Sequence, residues 1–186
     1  MKYKRWVALF SQTGQEIIDI SNQIDRVPDL IISNNHPSKV FNILKGVEYK
    51  WLTTFGKAAK TLDILDEVIE SPEDTLITLN GWLRIVPPDK CVKYNIYNGH
   101  PGLITKYPEL KGKDPQQRAW SDIHKYDMVG SVIHRVVEEV DAGEIDTYSE
   151  ISTANILTLD EMYNALRSTS LTTWDSFLKE RLYNKV

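Results

Sequence analysis

The chain has a single cysteine, Cys91, among 186 residues. One thiol excludes an intrachain disulfide framework and fits a reducing compartment. With no neighbouring base to activate it, Cys91 reads as a small core residue. Long hydrophobic runs are missing as well. The first six residues are basic, but the apolar run behind them, Trp6 to Phe10, is too short for a signal segment or a membrane span. A cytoplasmic protein with no membrane partner is expected. Nor is there an excess of positive charge: 22 Lys and Arg face 26 Asp and Glu, a net charge of −4. The clustered basic surface that grips a phosphate backbone is not expected, and so neither is a nucleic-acid partner. Four histidines, 36, 100, 124 and 134, show no paired ligand spacing, and one cysteine cannot build a zinc cluster, so no metal is expected. Repeats, low-complexity tracts and interdomain linkers are absent.

What is present suits one globular domain over residues 1–186, with 41% hydrophobic and 26% charged residues. Short apolar runs alternate with helical patterns. Strands are predicted at Trp6–Phe10, Asp29–Ser33, Tyr49–Thr53 and Thr75–Leu79. Between them, helical spacing places Ile17, Ile18, Ile20 and Ile24 on one helix, Val40 to Leu44 on a second ending at Lys45, and Leu62 to Val68 on a third. This alternation predicts an α/β fold, a Rossmann-like mixed, mostly parallel sheet flanked by helices. The second half changes character: a helix over Pro115–His124, then a strand pair, Val129–Val136 and Thr147–Ile151. Thr158 and Glu161 form a capping-box pattern. The helix it starts carries Leu159, Met162, Leu166, Trp174, Phe177, Leu178 and Leu182, with an interruption expected near Ser168–Ser170.

Chemistry concentrates in Tyr97-Asn98-Gly99-His100-Pro101-Gly102. The apolar run Cys91–Tyr97 reads as a strand that opens into this Gly/Pro loop. Side chains two apart on a strand share a face, so Asn98 and His100 point the same way. A carboxamide and an imidazole so placed can polarise a carbonyl and then hold the oxyanion, as acyl or formyl transfer requires. Asn-x-His by itself equally describes a structural histidine. Two other segments narrow the choice. Thr75–Pro88 is a strand ending in a Gly81 loop and an apolar turn, and ligands of open α/β sheets bind beyond the carboxyl ends of the strands. Ser131–Ile145 adds His134, then Asp141 on a turn with Gly143.

Taken together these segments resemble the folate-dependent formyltransferases, which include glycinamide ribonucleotide transformylase, methionyl-tRNA formyltransferase and sugar N-formyltransferases. The match runs from Thr75 to Ile151; the N-terminal half agrees in pattern only. The resemblance implies catalytic roles for Asn98, His100 and Asp141, with His134, seven residues before the acid, as support or simply as a buried strand histidine. It implies a folate site at Gly81 and at Trp82, Leu83, Arg84 and Ile85, completed by Val140 and Gly143. The implied reaction moves a formyl group from 10-formyltetrahydrofolate to a small primary amine, a nucleotide or nucleotide-linked amino sugar. A protonated His100, its pKa set by Asp141, would help hold the oxyanion.

Three features bear on the acceptor. Where glycinamide ribonucleotide transformylase has a Gly-Asn-Gly-Ser type phosphate loop, this chain has Ser11-Gln12-Thr13-Gly14, which either binds an anion through backbone N–H groups or is plain solvated loop. Lys111 and Lys113, near Lys106, form a basic cluster that either receives a substrate phosphate or is ordinary surface. Gly99 replaces a usual aliphatic residue, and a more flexible loop is expected there. Two other functions stay open: a hydrolase releasing formate from the same folate, and a non-catalytic nucleotide- or folate-binding module. The hydrolases carry an added N-terminal domain and the tRNA enzyme a C-terminal one. Only 45 residues follow Asp141 here, and neither addition is expected.

Overall fold

In the computed structural model, which describes residues 3–45, 49–55 and 62–183, seven strands form one sheet in the order β3-β2-β1-β4-β5-β6-β7. The strands are β1 (Arg5–Phe10), β2 (Leu30–Ser33), β3 (Trp51–Thr53), β4 (Thr75–Leu79), β5 (Asn95–His100), β6 (Met128–Arg135) and β7 (Ile145–Ser152). The first five run parallel. The last two are antiparallel additions, so the sheet is mixed and mostly parallel.

Sequence pattern accounts for the layering. From Trp6 to Phe10, β1 is buried on both faces, as a continuous apolar run in a parallel sheet must be. Trp6, Ala8 and Phe10 pack on one face with α1 (Gln15–Ile24) and α6 (Leu159–Leu182). Val7 and Leu9 face the other side, with α3 (Ile64–Val68) and α4 (Pro88–Lys93). Two shorter helices, α2 (Pro37–Ile43) and α5 (Pro115–Ser121), complete the set. No helix among the described residues is long and apolar enough to cross a membrane.

Five elements differ from the sequence expectation. The run Cys91–Tyr97 is not one strand. Pro88 opens α4, which continues to Lys93, and only then does β5 begin; proline suits a helix's first turn because its missing N–H is not needed there. Buried Lys90 secures the turn through Asp63, Asp66 and Asp89, at 3.3, 2.5 and 3.1 Å. Helix α6 runs unbroken through Ser168–Ser170. Its hydroxyls bond within the helix, to β6 or to α1 rather than breaking the helix: Thr173 Oγ1 donates to the Thr169 carbonyl at 2.6 Å, Ser131 Oγ meets Thr169 Oγ1 at 3.2 Å, and Ser170 Oγ donates to Glu16 at 2.6 Å. The Pro115 helix stops at Ser121, and a 3-10 turn at Ile123–Lys125 takes over. The second helix ends at Ile43, and the third strand begins at Trp51.

Strand order locates the crevice. Connections from β1 go toward β2 and β3 in one direction, while β4 and β5 lie on the other side of β1. Loops leaving β1 and β4 therefore part at their carboxyl ends, where α/β sheets hold ligands. The two loops are also tied to each other: Ser11 N–H donates to the Gly81 carbonyl at 3.0 Å, and Leu83 N–H donates to Ser11 Oγ at 3.0 Å.

The capping box at the start of α6 is complete, with Thr158 Oγ1 accepting from Glu161 N–H at 3.2 Å and Glu161 Oε2 accepting from Thr158 N–H at 2.9 Å. Replacing Thr158 by Ala is expected to lower the unfolding free energy by about 1 kcal/mol. Urea denaturation should show an earlier midpoint at unchanged slope.

Candidate active site

A cavity of about 480 Å³ opens at this crevice, within the range of small-molecule sites. One wall is the loop after β4, with Trp82, Leu83, Arg84, Ile85 and Val86; Val137 and Val140 add apolar surface from the β6–β7 loop. Asn98, His100, His134 and Asp141 are among the polar residues of the lining.

Sheet pairing brings these polar groups together. In the antiparallel β5–β6 pair, Asn98 lies directly opposite His134, so both side chains leave the same face of the sheet. An irregular register between Ile133 and His134 marks a bulge against β7, a device that re-aims a side chain beside a site. Asp141 then arrives on the β6–β7 turn with φ of 53°, a left-handed backbone that Asp tolerates better than most residues.

The hydrogen bonds assign most of the protons. His134 Nδ1–H donates to the Arg135 carbonyl at 2.9 Å, leaving Nε2 to accept from the Asn98 amide at 3.3 Å. The second amide hydrogen of Asn98 stays free for the cavity. His100 Nε2–H donates to the Leu110 carbonyl at 2.9 Å. Both imidazoles also face Asp141: His100 Nδ1 is 3.4 Å from Oδ2 and His134 Nε2 is 3.3 Å from Oδ1. The Gly112 N–H donates to Asp141 Oδ2 at 2.8 Å.

Electrostatics follow from this cage. Burial pushes the Asp141 carboxyl upward, but His134 and His100, once the nitrogens that face it carry a proton, and the Gly112 N–H together outweigh it and hold the group below the usual carboxylate range. His100 departs from expectation. Burial, the largest influence, lowers its pKa, and neither the Asp141 charge nor the Leu110 carbonyl restores it. At neutral pH His100 is a neutral imidazole, not the imidazolium that an acid neighbour alone suggests.

Several residues singled out from sequence have other work. Of Ser11, Gln12, Thr13 and Gly14, only Gln12 lines the cavity. Ser11 holds the β4 loop, Thr13 Oγ1 accepts from the Gln15 N–H at 3.3 Å, and Gly14 caps α1 with φ of 67°. Lys113 stands at the cavity rim, ion-paired to Asp114 at 3.6 Å, while Lys111 lies outside the lining. Gly143 is outside it too; a side chain there would run into the Arg135 carbonyl, so the close strand contact requires glycine. Among the described residues, no group of three or more His, Cys, Asp or Glu is arranged to hold a metal ion.

Gly99 is not a point of slack. A Cβ on it would lie 2.7 Å from Trp174 Nε1, so the indole fills that space. Arg118 was not foreseen. Its guanidinium donates to the carbonyls of Glu109, Leu110 and Lys111 at 2.7, 3.2 and 2.7 Å, pinning the segment that covers His100. Only the folded chain sets that one side chain against three successive carbonyls.

A family model described as formyl transferase matches residues 11–173. The chain belongs to the formyl transferase family. Among its relatives, the phosphoribosylglycinamide formyltransferase of Dictyostelium discoideum is 33% identical over 122 residues, which span 59% of this chain and 58% of that protein. The chain thus spans under two thirds of that relative's length. Solved structures share the family fold. The phosphoribosylglycinamide formyltransferase of Campylobacter jejuni superimposes with a TM-score of 0.80 at 20% identity, over 96% of this chain and 97% of that one. A formyltetrahydrofolate deformylase from Pseudomonas syringae gives 0.73 at 20% identity, over 97% of this chain and 61% of that one.

An imidazole buried as His100 is should titrate below the ordinary histidine value of about 6.5. NMR titration of its ring carbons is expected to place the midpoint there, and a midpoint above 6.5 contradicts the burial argument. Because the folded-state pKa is depressed, the unfolded chain takes up this proton first as pH falls. His100 therefore contributes a loss of stability between the unfolded and folded midpoints, which His100→Gln should remove from a pH series of unfolding curves.

Proposed function

We propose that this chain transfers a formyl group from 10-formyltetrahydrofolate to a primary amine of a small acceptor, a nucleotide or nucleotide-linked amino sugar. The observation that carries the reading is the meeting of Asn98, His134, Asp141 and His100 at one cavity whose facing wall is the apolar Trp82–Val86 loop. A flat, largely apolar pterin with polar edges suits such a wall, and Leu83, Ile85 and Val140 leave more than half their surface exposed toward solvent. The relatives' names support the acceptor class, since the Dictyostelium protein is a phosphoribosylglycinamide formyltransferase.

The reaction uses each group for what its environment allows. The amine nitrogen attacks the formyl carbon, and the carbonyl electron pair moves onto oxygen. The free N–H of Asn98 donates to that oxygen, which in a desolvated site is worth roughly 3 kcal/mol of barrier. His100 joins as a second donor only after its Nε2–H leaves the Leu110 carbonyl, so the 103–111 segment governs its readiness. Forming the new C–N bond makes the amine strongly acidic. Asp141, held ionised, accepts its proton, and His134 Nε2 receives it in turn when it ceases to accept from Asn98. Collapse of the intermediate breaks the bond to folate N10, which takes up as it leaves the proton that Asp141 and His134 drew from the amine.

Asp141→Asn suits the same left-handed backbone and should leave the fold intact while lowering kcat/KM by 10²-fold or more. His100→Ala is expected to lose a comparable factor. Turnover within threefold of wild type in either variant, with a native circular dichroism spectrum, refutes the mechanism. A panel of amines assayed with 10-formyltetrahydrofolate for tetrahydrofolate, formate and formylated product should identify the acceptor. Formate without formylated product indicates a hydrolase, the reading that fits the deformylase structure; folate binding without turnover indicates a binding module.

A further inference from the structure

Behind the catalytic strand, on the face turned away from the cavity, lies a carboxylate that the proposed reaction does not use. Glu16, in the first turn of α1, points inward and accepts from Ser170 Oγ at 2.6 Å and from Asn80 Nδ2 at 3.0 Å. The donors continue in one direction. Trp6 Nε1–H donates to Thr78 Oγ1 at 2.9 Å, and Thr78 O–H donates to Asn80 Oδ1 at 2.8 Å. Every bond in this chain runs toward Glu16, so it needs an end group with acceptor capacity. The Trp174 indole N–H is turned to the same carboxylate and favours its charged form, though no acceptor sits at hydrogen-bonding geometry to it.

Both ends of the network reach the site. Asn80 is the last residue before Gly81, where φ of 68° turns the chain into the cavity wall. Trp174 presses on β5 at Gly99, between Asn98 and His100, in the space a side chain would occupy. Glu16, Ser170 and Trp174 themselves stay outside the cavity lining. We propose that Glu16, acting through Asn80 and Trp174, is a positioning residue that sets the Gly81 loop and the Asn98–His100 strand relative to each other, and that Gly99 is glycine to admit the indole. This rests on the formyl-transfer reading for its activity assay. A misplacement of about 1 Å at reacting groups is enough to cost a factor of 10² in rate.

The test uses the full chain. Glu16→Ala should lower kcat at least tenfold, and Glu16→Gln, which keeps an acceptor toward Asn80 and a donor toward Ser170, should recover to within about threefold of wild type. Gly99→Ala should lower kcat at least tenfold with the folate KM within about threefold, and adding Trp174→Phe should restore most of the loss. In Glu16→Ala, the amide signals of Gly81, Gly99 and His100 should shift together in 1H–15N spectra. That readout needs no turnover, so a wild-type chain without formyl transfer would defeat the functional reading while leaving this test in force. Unshifted amides, wild-type kcat in Glu16→Ala, or a Gly99→Ala defect that Trp174→Phe does not relieve would each overturn the proposal.

Discussion

The antiparallel pairing of β5 with β6 is the constraint on which the site depends. A sheet continued in parallel would set a different residue against Asn98, and His134 would not meet it across the ladder. With the pair reversed, Asn98 faces His134, and the short β6–β7 return brings Asp141 back against both His134 and His100. Two imidazoles, each holding a proton toward a backbone carbonyl, then present their remaining nitrogens to one carboxylate. This concentrates acceptors around Asp141, and a proton arriving there has places to go.

Burial decides how that arrangement behaves. His100 sits beside an anion yet is pulled below its ordinary pKa, because the cost of desolvating an imidazolium exceeds what one carboxylate returns. Asp141 has more partners and moves in the direction they favour. The same balance operates on the far side of β5, where burial raises the Glu16 carboxyl against the pull of Ser170, Asn80 and Trp174. Front and back of β5 thus each carry a carboxylate, one facing the cavity and one half-buried behind the strand.

Much of this was legible in the residues. The alternating strands and helices, the capping box at Thr158 and the loop after Gly81 all follow from local patterns whose physical causes are local. Asn98, His100, His134 and Asp141 stood out because together, and in that order, they resemble the polar set of one family. Misreadings arose where a local signal had two outcomes. Cys91 to Tyr97 is apolar enough for a strand, but Pro88 and the carboxylates around Lys90 favour a helical turn first. Gly99 looked like slack because glycine permits it, whereas its space is taken by a tryptophan 75 residues later in the chain.

The sequence by itself determined most of the element types, the polar set and the family that the set resembles, because periodicity, capping and motif spacing are properties of near neighbours along the chain. Tertiary structure decided which of those residues share a cavity, why Ser11 and Gly143 serve backbone contacts, and why His100 is neutral. These outcomes depend on distances and desolvation between segments far apart in sequence. Only the assembled sheet, with α6 pressed against its back, defines them.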